Sequence, residues 1–310
     1  MLLYEIILYS ISFILLIYKI FTAKSSKDLF LFIAFSLILF ITAIYANVNF
    51  LTLFSGYIIF NGMISSYGTK LLEAFSIIGA YFIFISYLTA PVIITLAIFF
   101  GGISSYSLYP KKKHRSKKTT YKKELFRNIF TIISGFVLIF LLVFSTLSSY
   151  LLIGLIFLIG ILLLNTSIIY KKGPLSRLLY ILERKNFRLG HGAIWLGIGT
   201  CFAISYFGFN YAVPVISFIF IADCVSPIFG IKFGKAKLPY NKHKSFIGTL
   251  SYFVVGAVIA YFFIGYLGII LAGLGAIIES LPVLFDDNFD VPLALFIFVK
   301  IFGLWLSYVY

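Results

Sequence analysis

The chain has 310 residues, of which 62% are hydrophobic, 20% are aromatic and only 11% are charged. This composition excludes the soluble globular classes of protein. The formal net charge of +15 would suggest a nucleic-acid partner in a soluble protein, but the positions of the basic residues give a different explanation.

Apolar runs long enough to cross a bilayer recur along the whole chain. Each run has roughly 17 to 22 residues, and a helix needs about 20 to cross the hydrocarbon core. The sequence therefore predicts an all-α polytopic membrane protein with about 11–12 transmembrane helices, about 7 of which form a C-terminal bundle.

Basic residues mark every second connection between the apolar runs. These connections contain Lys24 and Lys27, Lys70, Lys111–Lys123, Lys171–Arg188 and Lys232–Lys244. By the positive-inside rule they lie in the cytoplasm. Because topology accounts for the charge, we expect no nucleic-acid partner, and we expect an integral protein of the cell membrane or the endoplasmic reticulum.

One hydrophilic run divides the chain in two. Residues 111–123 read KKKHRSKKTTYKK and have no apolar periodicity, which predicts a basic cytoplasmic linker. We expect N-terminal transmembrane helices in residues 1–110 and a second membrane domain in residues 124–310. A later connection, Lys171–Gly192, has leucines on one helical face, which predicts a short amphipathic helix on the membrane surface.

Two carboxylates lie inside apolar runs and are followed closely by prolines. Asp223 precedes Pro227, and Glu279 precedes Pro282. A proline inside a helix has no N–H to donate, so Pro227 leaves the carbonyl of Asp223 without its usual partner. Irregular backbone at membrane depth is tolerated only where it faces protein or a water-filled cavity. We therefore expect both carboxylates to line a polar pocket, which is typical of functional membrane residues.

A connection rich in glycine and lysine follows Asp223. Gly230 and Gly234 bracket three residues, and Gly248 follows Lys244 and Ser245. Glycines let backbone amides approach an anion closely, and lysines add positive charge for a polyphosphate. No Walker A pattern is present, so a P-loop fold is not implied. Taken alone, this segment is equally consistent with a solvated loop.

An acidic segment, Asp286, Asp287, Asn288 and Asp290, precedes the last apolar run. We expect it to form a loop on the same face as the basic connections. Oxygen ligands of this kind suit a Mg²⁺ ion that is shared with substrate phosphates. Lysines for a polyphosphate, carboxylates for a metal and an acid in the membrane together favour phosphoryl transfer to a lipid alcohol.

These segments resemble the CTP-binding signature of the dolichol kinase and phytol kinase family. That signature has Asp-x-x-Ala, then Gly-x-x-x-Gly, and eight residues later Lys-Lys-Thr-x-Glu-Gly. The matching positions here are Asp223, Ser226, Gly230, Gly234, His243, Lys244, Ser245 and Gly248. Further similar blocks lie at Glu124–Gly135, at Glu183–Thr200, and at Glu279 with Asp287, Asn288 and Pro292.

The resemblance implies a CTP-dependent polyprenol kinase. Such an enzyme transfers the γ-phosphate of CTP to a long-chain isoprenoid alcohol, such as dolichol, and releases CDP. Residues 124–310 would be its lipid-kinase-like catalytic domain, with the active site facing the cytoplasm and the alcohol arriving from the bilayer.

The resemblance also implies roles for individual residues. Asp223, Glu279 and Asp287 would be the catalytic carboxylates, and which of them acts as the base is open. Mg²⁺ would be held by Asp223, Asp287 and Asn288. The residues implied in CTP binding are Gly230, Gly234, Lys235, Lys242, His243, Lys244, Ser245 and Gly248.

The chain departs from the family signature at several positions. The departures are Ile247 for Glu, His243 for the first Lys, Ser226 for Ala, and Asn128 and Thr131 in the opening block. Without a glutamate at position 247, a catalytic carboxylate must come from Asp223, Glu279 or Asp287.

Two other functions fit parts of the pattern. A lipid cytidylyltransferase would also use CTP and Mg²⁺ but would release pyrophosphate and a CDP-lipid. A secondary transporter also carries acids in interrupted helices. Such transporters have interrupted helices in both halves of the chain, whereas the interrupted, charged segments here lie only after residue 210.

Overall fold

The computed structural model describes residues 49–65, 95–101, 121–144, 191–207, 209–282 and 286–309, with short stretches between residues 9 and 44 and between residues 152 and 163. Most of the predicted linker and the predicted amphipathic helix lie outside the described residues. The total number of transmembrane helices therefore stays a prediction.

The described residues are almost entirely helical. The elements are α1 (Phe50–Ser65), α2 (Tyr121–Phe144), α3 (His191–Phe207), α4 (Phe209–Ser217), a π-helix (Phe218–Ala222), α5 (Asp223–Phe233), α6 (Phe246–Ile264), α7 (Tyr266–Ser280) and α8 (Asp287–Val309). Three stretches within the described residues are long and apolar enough to cross a membrane, namely Lys123–Phe144, Tyr211–Phe233 and Phe246–Ile264. The predicted all-α polytopic membrane fold is thus confirmed.

The chain divides into two compact units. The first contains Met1–His114 and Leu147–Cys201, and the second contains Arg115–Thr146 and Phe202–Tyr310. In the first unit, α1 buries Leu53 and Tyr57. All of the candidate site residues belong to the second unit. The predicted division at residues 110 and 123 stays a prediction.

Small residues let the helices of the second unit pack closely. Gly265 joins α6 to α7 in a tight turn at φ 60°, a conformation that favours glycine. A side chain at Gly268 would meet the backbone of Ala260, so the two helices approach closely beyond this turn. Small residues at such crossings are typical of membrane helices, since they allow close backbone contact.

A π-helical turn interrupts the apolar run before Asp223. All five of its residues are buried, and the backbone N–H of Asp223 donates to the carbonyl of Phe218, five residues back. A side chain at Gly135 of α2 would overlap Phe220, so this glycine allows α2 to pack against the π-helical turn. Such turns commonly occur at functional sites.

Two predicted segment boundaries were wrong. We expected Pro282 inside a helix, but α7 ends at Ser280 and Leu281 is extended, because a residue before proline disfavours the α conformation. We expected the acidic segment to be a loop, but Asp287 begins α8. The side chain of Asp286 accepts the backbone N–H of Asn288 at 3.2 Å and so caps this helix.

Candidate functional site

Three carboxylates from three helices meet in one cluster. One oxygen each from Asp223 of α5, Glu279 of α7 and Asp287 of α8 lies within 4.8 Å of the others. Glu279 is only 3% exposed. The carboxylates at these three positions, which the sequence analysis singled out as catalytic, therefore come together in the second unit. We call this group the carboxylate cluster.

Lys244 binds directly to the carboxylate cluster. Its ammonium donates to Oε1 of Glu279 at 2.6 Å, to Oδ2 of Asp287 at 3.1 Å, and to the backbone carbonyl of Glu279. Burial lowers the pKa of Lys244, but attraction to Asp287, Glu279 and Asp223 outweighs burial and raises this pKa above its ordinary value. The ammonium thus stays charged at physiological pH.

The connection that carries Lys244 is fixed over the end of α7. The hydroxyl groups of Tyr240 and Ser280 lie 2.8 Å apart, and Nδ2 of Asn241 donates to the carbonyl of Ser280 at 3.0 Å. An isolated bridge pairs Lys237 with Ser245. These contacts hold the connection in place and direct Lys244 to the cluster.

The glycines of the signature lie at a helix crossing. A side chain at Gly234 would overlap the Ser245 hydroxyl, and a Cβ at Gly230 would lie 2.9 Å from that hydroxyl. Ser245 caps α6 by accepting the backbone N–H of Gly248 at 3.2 Å. Gly230 lies inside α5 and Gly234 ends that helix. These residues let α5 and α6 pack closely, and their role in CTP binding stays a prediction.

The other predicted ligands lie around the cluster. Lys235, Lys242 and His243 are exposed on the connection. Asn288 follows Asp287 directly, and its amide donates to Oδ1 of Asp286 at 2.8 Å. The structure brings Glu279 together with Asp223 and Asp287, and the metal-binding role of Asn288 stays a prediction.

Ile247, which replaces the glutamate of the family signature, lies away from the buried side of α6. Its side chain is 38% exposed, and the exposed residues Leu250, Val254 and Val258 continue an apolar stripe along the same helix. This stripe is typical of a surface that faces lipid. The carboxylate cluster is therefore assembled without a contribution from position 247.

Two oxygens of the cluster fit a divalent cation. Within the described part of the chain, Oε2 of Glu279 and Oδ1 of Asp287 are buried and have no hydrogen-bond partner. An unpaired buried carboxylate oxygen is costly, and carboxylate oxygens are preferred ligands of Mg²⁺. Asp223, Glu279 and Asp287 thus provide a donor set that fits this ion.

The sequence analysis missed Tyr252. This residue of α6 is fully buried, and its hydroxyl has no hydrogen-bond partner among the described residues. Its signal in the sequence was weak, because 22 tyrosines occur in the chain and aromatic residues are common in membrane helices. Only the packing of α6 against α7 distinguishes it.

Part of the chain is similar to isoprenoid-alcohol kinases of plants. It is 30% identical over 132 residues to phytol kinase 1, chloroplastic, of Arabidopsis thaliana, which covers 36% of this chain and 43% of that protein. It is also 30% identical over 152 residues to farnesol kinase, chloroplastic, of Arabidopsis thaliana, covering 44% of this chain and 50% of the relative. The predicted resemblance is confirmed.

The similarity covers only part of this chain and part of each relative. A probable phytol kinase, chloroplastic, of Zea mays is 30% identical over 132 residues, covering 36% of this chain and 44% of the relative. The chain thus matches half or less of the length of these relatives. No protein-family profile matches the chain, and no solved structure matches it.

Proposed function

We propose that the chain is a membrane kinase that phosphorylates an isoprenoid alcohol, with CTP as the donor and a long-chain polyprenol or dolichol as the acceptor. The observation that carries this proposal is the carboxylate cluster with Lys244, which lies at the end of apolar helices. The similarity to a phytol kinase and a farnesol kinase supports an isoprenoid acceptor.

The proposed reaction is a transfer of the γ-phosphoryl group. The alcohol oxygen forms a bond to the γ-phosphorus, and the bond from this phosphorus to the oxygen that bridges to the β-phosphorus breaks. The nucleoside diphosphate leaves with the electron pair of the broken bond. We assign the alcohol proton to the carboxylate of Asp223, which belongs to a membrane-spanning stretch. Catalysis of this kind depends mainly on positioning and charge neutralisation.

The basic connection would bind the triphosphate. Lys235, Lys242 and His243 are exposed there and can reach a polyphosphate from solution. Lys244 keeps two of the carboxylates neutralised and lies next to the place where phosphate charge would enter. Lysine ammonium groups suit this role, since they act as point charges toward phosphate oxygens.

A Mg²⁺ ion would be held by Asp223, Glu279 and Asp287, with Asn288 beside them. When bound, it would neutralise the negative charge of the phosphates during transfer. The unpaired oxygens of Glu279 and Asp287 are the protein atoms that support this assignment. We further propose that this end of the helices faces the cytoplasm, because the connection that covers it is basic.

The proposal is tested with purified protein in detergent or nanodiscs. We expect transfer of ³²P from the γ position of CTP to dolichol, geranylgeraniol or phytol in the presence of Mg²⁺, with ATP compared as donor. Absence of transfer for every combination would refute the kinase. A CDP-lipid and pyrophosphate, detected with CTP labelled at the α position, would instead show a cytidylyltransferase.

Substitutions in the carboxylate cluster test whether this activity depends on it. We expect Asp223→Asn and Lys244→Ala each to abolish transfer while the protein stays folded, because each removes a group of the carboxylate cluster or its counter-ion. Lys300→Ala is the matched control, since Lys300 is an exposed lysine of α8 outside the basic connection and the carboxylate cluster. An active Lys244→Ala variant with an unchanged KM for CTP would remove Lys244 from the mechanism.

A further inference from the structure

Tyr252 is a buried polar residue that the proposed reaction does not yet use. Its side chain is 0% exposed. Within the described part of the chain its hydroxyl has no hydrogen-bond partner. A buried hydroxyl without a partner costs about 1–3 kcal/mol. Phenylalanine would fill the same space without this cost, so the hydroxyl is explained best by a ligand that it binds.

The hydroxyl lies beside α7, one helical turn before Glu279. A Cβ atom at Gly275 of α7 would lie 3.3 Å from it, so the absence of a side chain there lets the hydroxyl lie close to α7. Gly275 precedes Glu279 by one turn of α7, a rise of about 6 Å. The ring of Tyr252 also packs near Phe218 of the π-helical turn, with the centroids 6.4 Å apart.

The two sides of the carboxylate cluster thus differ in chemistry. On the side of the basic connection, exposed lysines suit a polyphosphate. On the other side, Tyr252 offers one buried hydroxyl donor, which lies beside Gly275 and near the ring of Phe218. A ligand with one hydroxyl group on a long apolar chain suits the side of the cluster where Tyr252 lies.

We propose that Tyr252 positions the acceptor alcohol by donating a hydrogen bond to its oxygen while the alcohol proton is directed to Asp223. This inference rests on the proposed kinase function and adds the residue that recognises the acceptor. It gives the substrate class a physical basis, because one buried donor suffices for a primary alcohol on an isoprenoid chain. The nucleotide binds on the opposite side and does not contact Tyr252.

The test is Tyr252→Phe, measured in three ways. We expect the Tm of the ligand-free protein in detergent to be unchanged or slightly higher, since no hydrogen bond within the described chain is lost. We expect the KM for geranylgeraniol or phytol to rise about three- to tenfold, the value of one hydrogen bond, and the KM for CTP to stay constant. Native mass spectrometry should show the same loss of bound alcohol without any nucleotide.

Tyr261→Phe is the matched control, because Tyr261 lies on the same helix but is 45% exposed. It should change none of these values. A Tyr252→Phe protein with a lower Tm, and with normal alcohol affinity per folded molecule, would overturn the inference. So would a wild-type protein that retains no isoprenoid alcohol.

Failure of the kinase and failure of this inference are distinguishable. A wild-type protein that retains alcohol but transfers no phosphate refutes the kinase, and the binding measurement on Tyr252→Phe then decides the inference alone. Should Tyr252→Phe not fold, Gly275→Ala replaces it, because its added methyl group would crowd the hydroxyl at 3.3 Å. An unchanged affinity of Gly275→Ala for alcohol would then overturn the inference.

Discussion

The ammonium of Lys244 lies 2.6 Å from Oε1 of Glu279, although the two residues are 35 positions apart in the chain. The pair joins the end of the basic connection to the last turn of α7. Because Asp287 also bonds to Lys244, one cation ties together two helices and a connection. The predictions that follow start from this contact.

Lys244→Met should make the stability of the protein depend on divalent cations. Removing the partner of a buried carboxylate leaves unpaired charge, and we expect a loss of about 3 kcal/mol in the free energy of unfolding without metal. Added Mg²⁺ or Mn²⁺ should restore much of the loss, since it neutralises the same carboxylates. Thermal unfolding in detergent, with and without the ion, measures this. An equal Tm for Lys244→Met and Lys232→Met without metal would contradict the prediction.

Asp287→Asn and Asp290→Asn should differ in metal binding. Both acids lie in the first turn of α8, but only Asp287 belongs to the carboxylate cluster. We expect Asp287→Asn to weaken Mn²⁺ binding at least about tenfold, as the loss of one charged ligand does, and Asp290→Asn to leave it unchanged. Electron paramagnetic resonance of Mn²⁺ measures the affinity without any activity assay. Equal effects of the two variants would exclude this site.

Gly234→Ala should destabilise the crossing of α5 and α6. The added methyl group would overlap the Ser245 hydroxyl and the Gly230 carbonyl, and overpacking of this kind costs about 1–3 kcal/mol. Gly273→Ala is the matched control, because its methyl group would meet Phe253 at an ordinary 3.6 Å. Comparison of the two Tm values decides the point. A stable Gly234→Ala protein that loses only CTP binding would favour the phosphate-binding role predicted from the sequence.

Ile247→Glu should not increase kinase activity. The side chain at this position is exposed on the outer stripe of α6, so a glutamate there would not join the carboxylate cluster. We expect kcat and the KM for CTP to stay within about twofold of the wild-type values, a free-energy change below about 0.5 kcal/mol. A large gain in kcat would mean that position 247 reaches the reacting groups.

The carboxylates of the candidate site could be predicted from the sequence, since acids stand out in an otherwise apolar chain. Asp223 and Glu279 are acids within membrane helices, where charge is expensive and marks function. The structure brings both together with Asp287. The helical structure of the apolar runs could be predicted as well, because a long apolar segment in a bilayer has few alternatives to a helix.

The pairing of Lys244 and the burial of Tyr252 could not be predicted in the same way. Both depend on which helices meet, and sequence spacing does not contain that information for contacts 35 positions apart. The glycines illustrate a second limit. A residue without a side chain suits a close phosphate or a close helix equally well, and only the contact of Gly234 with Ser245 reveals the close helix.

The π-helical turn before Asp223 sets the direction in which this acid points. A π-turn holds one more residue than the α-helical turn it replaces, so it rotates everything after it by about 100° relative to what precedes it. Straightening of Phe218–Ala222 into an α-helical turn without loss of a residue would therefore rotate Asp223 by about a quarter turn around the helix axis, out of the cluster. The position of Asp223 in the carboxylate cluster thus depends on one additional residue in a turn of five buried apolar side chains, none of which has a reactive group of its own.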